Sequence, residues 1–352
     1  MDVLRDLFRF FPLLTCSIFL SSCQLPYYLK SAYSQLSMLN SQVPMEEALQ
    51  NPNLSAQQKS KMILSQKVHE FAESDLHLKE TKNYTSFVQL DRPYVTYVVS
   101  AAQKWKLEPH LWKFPFVGEV PYKGYFNEED AKVEEKGLKA KDLDTYLRGV
   151  SAYSTLGWFR DPLLSSMLNY SETELVNMLI HETVHATLFI KNSADFNERL
   201  AVFLGAKGME RFYLKFEGPD SANLKKAEAE NEDDRIFSQF ISKEISDLDQ
   251  WYRNQIVKDE SSRSLRIKEI QIRFQEKIES QLKSKYYSRF PQLALNNARL
   301  LMYKTYMQDL GDFEKVYVQN GNDFVRFLEL CKGLQDSKNP EEDLKKMILS
   351  EK

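Results

Sequence analysis

Apolar residues recur at helical spacing over residues 27–77, where Met62, Ile63, Val68, Phe71 and Leu76 form one buried stripe. Ser55 with Gln58 three places later predicts a capping box within that stretch. Over residues 84–154 the period shortens. Residues 94–99 alternate as a strand does, and 146–153 predict a second strand. Between them the apolar run 112–125 is punctuated by Pro115, Gly118, Pro121 and Gly124, and residues 127–136 form a charged helix candidate. Everything after Ser171 reads as helix.

Two late segments are unusual. Residues 221–285 are dense in Lys, Arg, Glu and Asp, yet Ile236, Phe240, Ile245, Leu248 and Tyr252, then Ile267, Ile270, Phe274 and Ile278, keep helical spacing. The polar stretch 259–264 divides them, so an antiparallel helical hairpin with a solvated charged face is expected. The tail 336–352 is charged and expected to fray. The class is therefore α+β and mostly helical. Its parts are a helical portion at 24–80, a small sheet at 84–160, helices at 171–215, the hairpin at 221–285 and closing helices at 291–335.

Composition narrows the functional classes. A net charge of −3 over 352 residues excludes a nucleic-acid-binding face as the main business, and 22 Phe with 18 Tyr argue for a folded chain. The beginning is distinct. Arg5 and Arg9 precede an apolar run at 10–20 that is too short to span a bilayer and has the layout of a secretory signal. Leu20-Ser21-Ser22-Cys23 resembles the lipobox of bacterial lipoproteins, so residues 1–22 are expected to be removed and Cys23 to carry lipid. That implies a lipid-anchored, extracytoplasmic place in a bacterial cell envelope, held by acyl chains at about 0.8 kcal/mol per buried CH₂. The mature chain would then keep only Cys331, which sits among Phe324, Phe327, Leu328 and Leu330 as a buried thiol.

The chemistry centres on His181-Glu182-Thr183-Val184-His185. Histidines at i and i+4 share a helix face and can reach one ion, while the glutamate beside the first can serve as general base without ligating. Ser171 and Glu174 predict a capping box for this helix, and Leu175, Met178, Leu179, Val184, Leu188 and Phe189 make it largely apolar. Two imidazoles on so apolar a helix are costly without a partner such as a metal. A catalytic zinc takes three protein ligands and leaves a position for water. If the chain turns back at residues 191–193, Glu198 comes level with His185 as third ligand. Asp195 three residues earlier could instead make Glu198 a capping glutamate, and Asp195 is itself the alternative ligand.

The residues quoted so far, with several others, resemble the bacterial "putative aminopeptidase" family of zinc peptidases, many of them lipoproteins. The shared landmarks are the lipobox, residues 92–95, 112–115 running into 120–126, 153–159, the HExxH, residues 196–198, 296–298 and 305–306. The resemblance covers residues 23–334 and implies a zincin-like fold, in which a small sheet lies next to the HExxH helix. It also implies one Zn²⁺ on His181, His185 and Glu198, and hydrolysis of peptide or protein substrates with Glu182 as base.

Tyr306 and Tyr153 are candidates to stabilise the oxyanion, with Tyr125 as a third candidate that also serves substrate binding; each could equally be a packed aromatic. Asn297 could bind substrate or neighbouring backbone. Residues 153–157 are placed to be the edge strand that pairs with substrate. Two alternatives to the aminopeptidase stay open, a zinc endopeptidase acting on envelope proteins and a lipid-anchored binding or assembly protein with a non-catalytic zinc site.

Overall fold

Serine side chains fix where the main helices begin. Ser55 Oγ accepts from Gln58 N at 3.2 Å while Gln58 Oε1 accepts from Ser55 N at 2.9 Å, so two otherwise orphaned amides are satisfied reciprocally. The same box recurs at Ser171 and Glu174. The computed structural model describes residues 25–114, 118–152, 160–307 and 310–349, with the side chains of Tyr306 and Leu349 outside that set. The expected signal at 1–22, Cys23, Tyr153 and the edge strand at 153–157 lie outside the described residues.

The helices α1 (Leu25–Asn40), α2 (Met45–Leu49) and α3 (Ala56–Ser74) open the chain, with β1 (Val43–Pro44) before α2. The continuous helical pattern at 27–77 is therefore interrupted. Pro44, Pro52 and the caps beside them break it into three pieces.

The strand region holds β2 (Ser86–Val88), β3 (Thr96–Gln103), β4 (Trp112–Phe114), β5 (Gly118–Val120), β6 (Tyr122–Tyr125), β7 (Leu143–Val150) and β8 (Leu163–Leu164), with α4 (Glu128–Lys139) between β6 and β7. The helical body follows as α5 (Glu172–Thr187), α6 (Ala194–Glu217), α7 (Ala222–Arg253), α8 (Glu260–Lys277), α9 (Asn297–Tyr306), α10 (Gly311–Gln319), α11 (Phe324–Lys332) and α12 (Pro340–Leu349). The molecule is α+β and mostly helical.

The strands form three small sheets where one was expected. Their orders are β1–β2–β8, β6–β3–β7 and β4–β5. In the second sheet Tyr97 pairs with Tyr125 and Gly149, and Ser100 with Tyr122 and Tyr146. Alternation then sorts the side chains. Tyr97, Val99, Ala101 and Tyr125 pack on Ala131 and Leu138 of α4. Ser100, Tyr122, Tyr146 and Arg148 share the opposite face.

The largest core wraps α5 and α6, joining Met62 and Phe71 of α3 to Leu179, Ile180, Leu200 and Leu204, and reaching Phe313 and Phe327 near the end of the chain. Gly205 and Gly208 let α6 approach α5. A Cβ at Gly205 would lie 2.6 Å from Asn177 Oδ1, and one at Gly208 would lie 2.9 Å from Ile180 Cγ2. Cys331 is fully buried in this core as a free thiol.

The charged hairpin forms as α7 and α8, with its break earlier than the polar stretch suggested. Residues 254–258 make the turn, and Asp259 caps α8 by accepting from Ser262 N at 2.8 Å. Its apolar seam holds the expected Ile245, Leu248, Tyr252, Ile267, Ile270 and Phe274, with Phe240 and Ile278 packed against it, and adds Phe237 and Ile241 in place of Ile236. Phe290, Leu300 and Tyr303 close it. The tail expected to fray is helix α12, anchored by fully buried Leu344 and by an ion pair from Glu341 to Arg199.

Candidate metal centre

The capping box at Ser171 starts α5, and apolar Leu175, Val176, Leu179 and Ile180 bury one side of it. His181 and His185 fall one turn apart, so their rings meet. Their Nε2 atoms lie 3.1 Å from each other with the rings at 84°. His185 is 7% exposed.

A tight reversal supplies the third group. The helix ends as Leu188 takes extended angles, and Asn192 turns the chain at a φ of +62°. Asn197 then staples the loop. Its Oδ1 accepts from Ile190 N at 2.9 Å and its Nδ2 donates to Ile190 O at 2.8 Å. The next residue is Glu198, whose Oε1 stands 3.5 Å from His185 Nε2 and Oε2 3.8 Å from His181 Nε2. One donor atom from each of the three residues lies within 4.8 Å of the others. Asp195 is exposed and lies outside this group.

The electrostatics suit a cation. Burial, then the neighbouring His185, brings His181 down to about 4, so it is neutral at ordinary pH. Burial opposes protonation of His185 too, but the Glu198 carboxylate outweighs it and holds that pKa above the ordinary value. Burial would raise Glu198, yet its bond to His185 and the charge there keep it ionised. Two imidazole nitrogens facing a carboxylate at these distances need positive charge among them, a proton or a metal ion. The three residues could hold such an ion. His181 has a backbone hydrogen bond at Ala201, the kind of outer contact that orients a ligating imidazole. Nδ1 of His185 is buried without a partner among the described residues.

Glu182 stands apart from the ligand group. With His181 it lines a cavity of about 410 Å³ whose other walls include Tyr170, Glu174, Glu230, Asp234 and Tyr286. Part of the charged face of α7, read from the sequence as solvated, therefore turns inward.

The other candidate residues go elsewhere. Tyr125 packs against α4, and its hydroxyl donates to Glu134 Oε2 at 2.8 Å. Asn297 is fully buried and accepts from Tyr252 Oη at 2.8 Å while its amide nitrogen donates to the carbonyls of Gln103 and Lys104. Of the two expectations for Asn297, the bond to neighbouring backbone is the one observed. Tyr306 ends α9, and its side chain is outside the described residues, as is Tyr153.

Among the described residues Tyr170 lines the cavity with His181 and Glu182, and Tyr122 feels the charge of Glu198. Burial and the charge of Glu198 raise its pKa, Arg148 lowers it, and its side chain is still 45% exposed. Tyr122 and Tyr125 are three apart on one strand and so face opposite ways. That parity was the available signal, but using it required knowing which face met α4.

A family model described as "Putative aminopeptidase" matches residues 26–347. The chain belongs to this family. No curated protein and no solved structure matches it. The family's description makes the protein a peptidase at the coarse level. The match takes in the HExxH helix, Glu198, the charged hairpin and most of α12. Among the described residues no helix is long and apolar enough to cross a membrane.

Proposed function

We propose that this member of the family is a zinc-dependent aminopeptidase with one Zn²⁺ held by His181, His185 and Glu198. The observation that carries the reading is the convergence of three donor residues beside a fourth, Glu182, that lines an adjoining cavity and ligates nothing in the group. A purely structural site has no use for a base at that position. We read the arrangement as zincin-like, with β6 as the edge strand open to a substrate backbone. Lipid on Cys23 would hold the enzyme at a membrane on the extracytoplasmic side of a bacterial envelope.

When bound, zinc would polarise the scissile carbonyl and lower the pKa of a water towards about 7. Glu182 takes the proton as that water attacks, and hands it to the leaving amine as the carbon–nitrogen bond breaks. Tyr122, which feels the charge of Glu198 and shares its strand face with Arg148, is our candidate donor to the developing oxyanion.

The test is hydrolysis of amino-acid amides and internally quenched peptides by the zinc-loaded full chain. Turnover lost by more than about 100-fold in Glu182→Gln, with zinc content unchanged, is the expected result. A wild type that retains zinc and cleaves neither kind of substrate would sink the reading. Tyr122→Phe should lower kcat by roughly 10- to 100-fold without moving zinc content.

A further inference from the structure

The cavity beside Glu182 has an unusual wall. Glu174, Glu230 and Asp234 contribute three carboxylates in addition to Glu182, and among the described residues no lysine or arginine lines it. Glu174 is partly used, since its Oε2 accepts from Ser171 N at 2.8 Å. Lys226 offsets part of Glu230 from outside the lining at 3.4 Å, while also donating to Thr173 Oγ1. Asp234 receives a hydroxyl from Tyr287 and has no cation paired with it among the described residues. The negative charge is therefore only partly balanced from within the protein.

The acidic wall is tied to other evidence of a ligand. It shares its cavity with His181 and Glu182, which the motif and the metal geometry mark independently. Tyr213, one turn beyond the cavity residue Met209 on α6, lies outside the lining; its hydroxyl is buried with no partner among the described residues, and burial, then the charges of Glu172, Glu217 and Glu230, raises its pKa. The same field acts on the aromatic lining. Burial and then Asp234, Glu174 and Glu230 push Tyr286 up to about 12. A cation entering the cavity would relieve the crowded carboxylates of its wall.

We propose that Glu230 and Asp234 hold the free α-ammonium group of the substrate, so that the site cleaves from the amino terminus. A peptide α-amine, with a pKa near about 8, is mostly protonated at neutral pH. The catalytic base lines the same cavity, so an ammonium held by α7 places the first residue's carbonyl beside α5. A volume of about 410 Å³ lies at the small end of ligand cavities, which run from about 300 to 1,000 Å³, and suits the first residue or two of a chain. The proposal rests on the peptidase reading and adds its specificity.

Two measurements on the zinc-loaded full chain test it. The first compares kcat/KM for an alanine or leucine anilide with that for the N-acetylated compound, in wild type, Glu230→Gln, Asp234→Asn and the double variant. Wild type should favour the free amine by more than about 100-fold. Each single change should lower the free-amine value by roughly 10- to 100-fold, chiefly through KM, and leave the acetylated value unmoved. Discrimination that survives in the double variant, or equal cleavage of both compounds by wild type, would overturn the proposal. The second is calorimetric binding of leucinamide against N-acetyl-leucinamide, with Glu182→Gln as host. Equal affinities would overturn the amine site even if no hydrolysis is ever seen, whereas a preference for the free amine in a chain that never turns over would fault the enzyme reading and leave the amine site standing.

Discussion

Two of the polar clusters buried among the described residues differ in how they are satisfied. Around Asn297, polar groups find partners inside the protein. Its backbone N–H donates to Asp144 Oδ2 at 2.8 Å, its side chain bonds Tyr252 and two carbonyls, and Arg263 pairs with Asp144 while donating to the Lys104 carbonyl at 2.7 Å. At the histidines, acceptors converge on each other. His181 Nε2, His185 Nε2 and the Glu198 oxygens point inward, with His181 forced neutral by burial. Both clusters cost desolvation. The first recovers that cost from its own hydrogen bonds, whereas the second has the His185–Glu198 bond and is left with acceptors in excess. The second needs something from outside, which distinguishes a site from scaffold more reliably than burial or charge does.

Removing one member of each cluster should therefore have opposite consequences. Glu198→Ala takes away one of three ligands. Four-ligand zinc sites bind with about 10–16 kcal/mol, so one ligand is worth roughly 3–4 kcal/mol, or two to three orders of magnitude in zinc affinity. Competition with a chromophoric chelator would measure it, while melting of the metal-free protein should be unchanged or improved. Zinc affinity within threefold of wild type would mean that Glu198 is no ligand. Asn297→Ala should do the reverse. It orphans Tyr252 Oη and the carbonyls of Gln103 and Lys104. We expect a loss of about 3 kcal/mol in urea unfolding, with zinc stoichiometry in the folded fraction intact.

How much of this contrast could be read from sequence depends on distance along the chain. The His181–His185 pair is one helical turn, and Glu198 follows across a short loop stapled by Asn197, so local periodicity nearly specifies the group that could hold a metal ion. Residues brought together by register or tertiary packing could not be found that way. Tyr122 comes under the charge of Glu198 from a strand paired with β3, while Tyr125, on the opposite face, packs against α4. Asn297 has the chemistry of a binding residue, and only its neighbours from β3 and α7 show that it is structural. Glu230 and Asp234 sit in a charged helix that looks solvated throughout, until α7 packs on α6 and turns one stripe towards His181.

The close approach of α5 and α6 offers a smaller perturbation that connects packing to the ligands. A methyl at Gly205 would meet Asn177 Oδ1 at 2.6 Å and both the Asn177 carbonyl and His181 Cβ at 3.3 Å. The amide can move, but the backbone and His181 cannot yield without spreading the helices. Gly205→Ala is expected to cost about 1–3 kcal/mol of stability. Because His181 is displaced, zinc affinity should fall with it. A variant that loses stability and keeps wild-type zinc affinity would show that the ligands are positioned from α5 alone.

The smallest effect expected is at Asp234, where pH supplies the lever. Burial first, then the charges of Glu230 and Asp233, lift its carboxyl from 3.8 to about 6 against the opposing bond from Tyr287. Glu174 adds charge from α5 across the cavity. A carboxyl whose folded pKa lies above the unfolded one binds its proton more tightly in the folded protein. Its contribution to stability is full below about pH 4 and is lost as pH rises through about 6. Asp234→Asn removes that loss. Allowing for partial solvent access, the variant should match wild type at pH 4 and exceed it by about 1–2 kcal/mol at pH 8, measured by urea unfolding at both values. Equal stability at pH 8 would mean that the carboxylate is already compensated by a partner. A gain would mean that wild type carries an uncompensated acid in the wall beside Glu182, the same imbalance that marks the histidines, here awaiting a positively charged amine.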